Sequence, residues 1–190
     1  MDKITIFGIG SSGGNVVNYI LDKLDSNKFD LVCINTKKQM LESSKAHRIL
    51  QIGKNTCAGL GCGGDVSRGI AAAEESLNEI THLLENTTQL IIIAGLGGGC
   101  STGATQIIAK FASEMKIRTT AILTIPFSFE GRRRNEIALE GIEEIKHYID
   151  NILILHNSDI LKNHLDKNVS LSQAFKFVDE KIYNVILALN

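Results

Sequence analysis

The chain has 190 residues, 44% of them hydrophobic and 22% charged, with a formal net charge of −1. That is enough for one well-buried domain and hardly for two, and the near-neutral balance removes the electrostatic case for nucleic acid as a partner. No run reaches the ~20 apolar residues of a membrane span, the N-terminus enters a strand pattern at once, and the four cysteines include no C-x-x-C pair, so a cytoplasmic protein with reduced thiols and no direct membrane insertion is expected.

In chain order, KITIFGI (3–9) predicts a strand, GIGSSGGN (8–15) a glycine loop, and 13–24 a helix. Asn27-Lys28-Phe29-Asp30 marks a helix-to-strand turn, DLVCIN (30–35) a second strand ending in the polar NTKKQ (35–39), and RILQI (48–52) a third. GLGCGGD (59–65) then leads into a helix over 65–85. QLIIIAG (89–95) is a buried strand followed by GLGGGCSTG (95–103) and a helix over 103–115. TTAILTI (119–125), PFSFEGRRR (126–134), a helix over 132–149, NILILH (151–156), HNSD (156–159) and a last helix from Leu171 complete the pattern. Arg132-Arg133-Arg134 reads as a solvated helix start. Apolar strands alternating with helices predict an α/β domain, a three-layer Rossmann-like arrangement with a mainly parallel sheet covered on both faces. Every glycine-rich or polar loop of interest follows a strand, so all are expected at the carboxyl edge of the sheet, where such folds bind ligands. Neither the five histidines nor Cys57 and Cys62 show the spacing of a metal site, and none is expected.

The loops point to a nucleotide. Glycine lets a ligand approach the backbone, and a helix N-terminus turns unpaired N–H groups and partial positive charge toward an anion. Gly8-x-Gly10-x-x-Gly13 matches the dinucleotide fingerprint, but the second strand ends in Asn35-Thr36-Lys37-Lys38 without the acid that binds ribose, leaving only an NADP-type version. That scheme has no role for the richer glycine loop at 95–103. No G-x-x-x-x-G-K-[ST] is present, so the P-loop class fails, and the N-K-x-D-like 27–30 counts as chance. Several glycine loops together suggest a di- or triphosphate wrapped by backbone amides.

These loops resemble, in order and over essentially the whole chain, the FtsZ family, the tubulin-like GTPases of bacterial cell division. Gly97-Gly98-Gly99-Cys100-Ser101-Thr102-Gly103 resembles that family's signature GGGTGTG; GIGSSGGN, INT, AGLGCGG and PFSFEGRRR resemble further loops, and LSQAFKFVDE the start of its central helix. The resemblance implies a guanine nucleotide, GTP or GDP, with a magnesium ion allowed alongside GTP. It implies that Gly10, Ser11, Gly13, Gly14, Gly97, Gly98, Gly99, Ser101 and Thr102 face the phosphates. Asn15 and Asp179 would read guanine, Asn157 would add a base-side contact, Phe175 would stack on the base, Glu130 would hold the ribose, and Arg134 would sit near the nucleotide. Departures from the family pattern are Ser11 and Ser12 for glycines, Lys37 for an acid, Val66 and His156 for prolines, and Cys100-Ser101 for Thr-Gly; Ser101 costs most if its position needs positive φ.

The family hydrolyses GTP between subunits, with acids from a loop after the central helix of the neighbour. Residues 1–190 are therefore expected to form a GTP-binding domain ending within the central helix, with the C-terminal domain and its catalytic loop absent and no catalytic residue of its own. The expected partner is a full-length FtsZ-type subunit docking through the nucleotide face. The alternative is a nucleotide-free structural or regulatory module that binds or caps FtsZ-type filaments.

Overall fold

The computed structural model describes residues 3–23, 29–162 and 169–189. Six strands form the sheet: β1 (Ile4–Ile9), β2 (Asp30–Asn35), β3 (Arg48–Gln51), β4 (Gln89–Gly95), β5 (Arg118–Ile125) and β6 (Asn151–His156). The helices are α1 (Gly10–Lys23), α2 (Lys38–Glu42), α3 (Val66–Glu75), α4 (Leu77–Leu84), α5 (Gly99–Glu114), α6 (Arg132–Ile145), α7 (Asn157–Lys162) and α8 (Leu171–Ala188). Strand order is β3-β2-β1-β4-β5-β6 and every pairing is parallel. Consecutive strands must therefore be joined by crossovers, and the helices of those crossovers cover the sheet.

The core divides into two layers, one on each face. On one side Ala72, Ile80, Ile108, Ala138 and Ile142 from α3 to α6 pack on Phe7, Val32, Ile92 and Leu123. On the other, Val17 and Ile20 of α1 and Val178, Ile182 and Ile186 of α8 pack on Ile6, Leu31, Ile91 and Ile122. The expected three-layer α/β domain is thus present, with a sheet that is parallel throughout. Strand order reverses between β1 and β4, and the crevice above that switch point is where open α/β sheets take ligands.

Several elements depart from the sequence expectation. The single helix over 65–85 is two: buried Ser76 interrupts it, and its hydroxyl accepts the Gly53 N–H at 3.0 Å. Helices α1 and α5 start earlier than expected, at Gly10 and Gly99, because residues that are poor helix formers form their first turns. The helix over 132–149 ends at Ile145 in a 3-10 turn, and HNSD is no loop, since α7 begins at Asn157. Asp30 lies at the opposite, amino end of β2, where it pairs with Arg48 (3.1 Å) and Lys3 (3.2 Å); Asn27, Lys28 and Asn190 lie outside the described residues.

Candidate functional site

At the carboxyl edge, above β1 and β4, a cleft of about 570 Å³ opens between the starts of α1 and α5, the loop from β3 to α3, and the region of Pro126. One end is built mainly from backbone. Gly10 turns out of β1 with φ +74 and enters α1 directly. A Cβ there would lie 2.9 Å from the Cβ of Ser101, so the two helix starts touch back to back. Gly97 (φ +95) turns out of β4, and Gly98 then caps α5 in extended conformation. Two long helices thereby present free N–H groups to one space, a dipolar cradle for an anion.

The side chains at this end already have partners. Thr102 is 1% exposed, its Oγ1 accepts the Gly97 N–H at 2.9 Å, and its methyl faces Gly141 of α6. Ser101 Oγ donates to the Gly98 carbonyl at 3.4 Å. Asn35 Oδ1 accepts the Lys37 N–H at 3.0 Å. Ser101 is helical and is not among the described residues with positive φ, so that condition on its cost does not arise.

The other end differs. Asn157, first in α7, is 4% exposed on the cleft wall, and its Oδ1 is buried without a hydrogen-bond partner. Phe175 lines the cleft from α8, held edge-on to Phe127 at 5.2 Å. Asp179 lies one helical turn further, on the same stripe of α8. Burial pushes its carboxyl up to about 7. Tyr19 of α1 sits nearby, since its phenol is raised by burial and then by the charges of Glu180 and Asp179. The Tyr19–Tyr183 contact, edge to face at 5.7 Å, fixes the register of α1 on α8. That register turns Asn15, one turn before Tyr19, toward the cleft.

Between the two ends Glu130 is doubly engaged: Oε1 accepts the Phe127 N–H at 2.9 Å and Oε2 accepts from Arg134 Nη1 at 2.9 Å. Of the residues singled out in the sequence, the cleft gathers Gly10, Ser11, Asn15, Gly98, Gly99, Ser101, Glu130, Arg134, Asn157 and Phe175. Five others are not among its lining residues. Gly13 packs α1 on the sheet, where a Cβ would meet the Ile93 carbonyl at 2.4 Å. Gly14 faces Cys33, Gly97 lies against the backbone of Arg134, Thr102 supports the loop, and Asp179 lies beyond Phe175. The sequence reading missed Lys37, Leu60, Cys62 and Cys100 as lining residues. Glycine spacing pointed to the loop that carries Leu60 and Cys62, but nothing in it says which side chains turn inward.

The set of groups fits a nucleotide in two parts, amides for phosphate and one unpaired acceptor, Asn157 Oδ1, for a base that carries donors. Glu130 is the only carboxylate among the described lining residues, and it is engaged. Among the described residues no helix is long and apolar enough to cross a membrane.

A model of the GTPase domain of the tubulin/FtsZ family matches residues 3–164. The cell division protein FtsZ of Coxiella burnetii is 40% identical over 185 residues, 97% of this chain and 47% of that protein. The mitochondrial division protein fszB of Dictyostelium discoideum is 37% identical over 190 residues, covering 98% of this chain and 51% of its own. Among solved structures, an empty FtsZ dimer from M. jannaschii superposes with a TM-score of 0.91 at 33% identity, over 98% of this chain and 53% of that one. The chain spans about half the length of these relatives.

Proposed function

The chain belongs to the tubulin/FtsZ family through its GTPase domain, and on that premise we propose that its cleft binds GTP and GDP and selects guanine over adenine. The observation that carries the reading is the unpaired Oδ1 of Asn157, a buried acceptor on the cleft wall. A buried acceptor left unsatisfied costs about 1–3 kcal/mol, and a base edge carrying N–H groups removes that cost. Ionised Asp179 accepts from guanine N1–H and the exocyclic amine together, a pair of donors that adenine does not present. Phe175 stacks on the base, and Asn15 contacts it from α1. Phosphates sit on the amides at Gly10–Ser11 and Gly98–Gly99. Glu130 and Arg134 flank the ribose. A magnesium ion accompanying GTP is held by phosphate oxygens and water, its usual ligands in nucleotide sites.

The described cleft offers no unengaged carboxylate to position water, so the domain holds GTP without turning it over alone. The missing acid comes from a full-length FtsZ-type subunit docked on the nucleotide face. Leu60, 82% exposed at the cleft rim, suits a surface that a partner covers.

Calorimetric titration with GDP and ADP at pH 8 tests the reading. A preference for GDP of about 100-fold is expected for a site built around hydrogen bonds. Equal affinities overturn guanine selection, and a protein that binds neither nucleotide becomes the nucleotide-free, filament-capping module.

A further inference from the structure

Three of the four cysteines meet beneath the cleft. Cys57 and Cys62 lie on the loop between β3 and α3, with their sulfurs 3.7 Å apart. Cys100 lies in the first turn of α5 and hydrogen-bonds to Cys62. The Thr36 hydroxyl is 3.5 Å from the Cys62 sulfur. Cys62 and Cys100 line the cleft, whereas Cys57 is 1% exposed behind Cys62. Among the described residues no group of histidine, cysteine or acid side chains forms a metal-ligand set, so these sulfurs are not a chelate.

The environment makes the sulfurs unequal. Hydrogen bonds to Cys62, the strongest from Cys100 and others from Thr36 and Cys57, outweigh burial and lower its thiol to about 6, with the Arg68 guanidinium assisting. Burial first, then the bond to Cys62, raises Cys57. The bond to Cys62 and burial raise Cys100. The backbone has room to adjust: Gly61, Gly63 and Gly64 all have positive φ, and a Cβ at any of them would meet nothing within 3.5 Å.

We propose that Cys62 and Cys57 are an oxidisable dithiol in the floor of the cleft, with a small hydroperoxide entering through the cleft as its oxidant. The Cys62 thiolate attacks one peroxide oxygen, the O–O bond breaks, and the sulfur becomes a sulfenic acid while hydroxide, or the corresponding alkoxide, leaves. Cys57 then attacks the Cys62 sulfur: the S–S bond forms, the S–O bond breaks, and the hydroxyl leaves as water with the proton from Cys57. Two protein thiols have lost two electrons and one peroxide has gained them. A disulfide needs its sulfurs about 2.05 Å apart, so the pair closes by about 1.7 Å. The Thr36 and Cys100 contacts of Cys62 then loosen and the cleft floor shifts.

The test exposes the reduced full chain, without nucleotide, to hydrogen peroxide, alkylates the remaining thiols, and reads intact mass and cross-linked peptides. The wild type is expected to lose two hydrogens, join Cys57 to Cys62, and leave Cys33 and Cys100 alkylated. Cys57→Ser, lacking the resolving thiol, should hold a sulfenic acid at Cys62 that dimedone traps, and Cys62→Ser should show neither product. A wild type that keeps all four thiols alkylatable in excess peroxide overturns the proposal, as does a disulfide through Cys100. If either variant fails to fold, the wild-type peptide map alone decides. Because no nucleotide is present, failure here leaves the guanine reading untouched.

Discussion

The two ends of the cleft are built on opposite principles. At the end proposed for phosphate the polar side chains are already paired: Thr102 holds Gly97, Ser101 bonds to Gly98, and Asn35 holds Lys37, leaving backbone amides to face a ligand. At the end proposed for the base, Asn157 carries an unpaired buried oxygen, and partial burial pushes the Asp179 carboxyl up. One end is finished without a ligand and the other bears a cost that a ligand relieves. Substitutions at the first should therefore lower stability, and binding only where they displace the backbone amides. At the second they should separate the two, gaining stability as they lose selectivity.

Gly69→Ala probes the finished end most severely. The added Cβ would lie 2.0 Å from the carbonyl oxygen of Gly99, backbone that cannot swing aside, so α3 must leave the N-terminus of α5. A loss of roughly 3 kcal/mol or more is expected, seen as a lower urea midpoint together with loss of GDP binding. A variant that keeps wild-type stability would show that the two helix starts are not rigidly set.

Asp179→Asn should move the two properties apart. Partial burial pushes the Asp179 carboxyl up to about 7 in the folded chain, from an ordinary value of 3.8. Between those values the unfolded chain loses its proton first, so the wild type loses stability as pH rises from about 4 to about 7, by up to a few kcal/mol. The asparagine variant should lack that slope and be more stable at pH 8 by about 1 kcal/mol or more. It should lose about 100-fold in preference for GDP over ADP, because the amide replaces one of the paired acceptors with a donor. The same titration sets the binding profile. On the proposed reading guanine is held by the ionised carboxylate, so wild-type affinity for GDP should fall about tenfold per unit as pH drops below about 7, while that of the variant stays flat. Thermal melts and GDP titrations from pH 5 to 8 check both; a pH-independent wild type would break the contrast between the ends.

Thr102→Val returns to the finished end with a smaller effect. The methyl that replaces Oγ1 leaves the buried Gly97 N–H without its acceptor, a cost of about 1–3 kcal/mol. Melting temperature should fall while discrimination between GDP and ADP is unchanged, since the hydroxyl supports the turn and the base lies at the other end. A variant that melts like the wild type but loses phosphate affinity would instead place that hydroxyl on the ligand.

These contrasts also mark what the sequence could and could not show. All six strands were legible because buried parallel strands are continuous apolar runs, and the placement of the glycine-rich loops at the carboxyl edge followed from each loop coming after a strand of a parallel sheet. The break at Ser76 was not, since it depends on an N–H contributed by Gly53, 23 residues away along the chain. Residues 10–12 and 99–101 have a loop's composition, yet they fold as first helical turns because the strands ahead of them fix where each helix begins. Glycine spacing pointed to the glycine-lined end of the cleft, whose chemistry is mostly backbone. It gave no sign that Asp179 is desolvated or that Cys100 meets Cys62, both consequences of packing between segments.

Ser101→Gly carries the smallest effect and the most direct test of local conformation. Glycine at this position would restore one of the two altered residues of the family signature, and in a left-handed backbone it would relieve strain and stabilise the chain. Ser101 is instead the third residue of α5, its Cβ lies against Gly10, and its hydroxyl bonds to the Gly98 carbonyl. In a helix, glycine costs backbone entropy, roughly 0.5–1 kcal/mol against other residues, and here it also empties the contact between the two helix starts. A loss of about 1 kcal/mol by urea denaturation is expected, with GDP affinity changed less than twofold because the amides that face the ligand remain. A gain in stability of similar size would mean that α5 starts after Ser101, and the phosphate end would then be as unfinished as the base end.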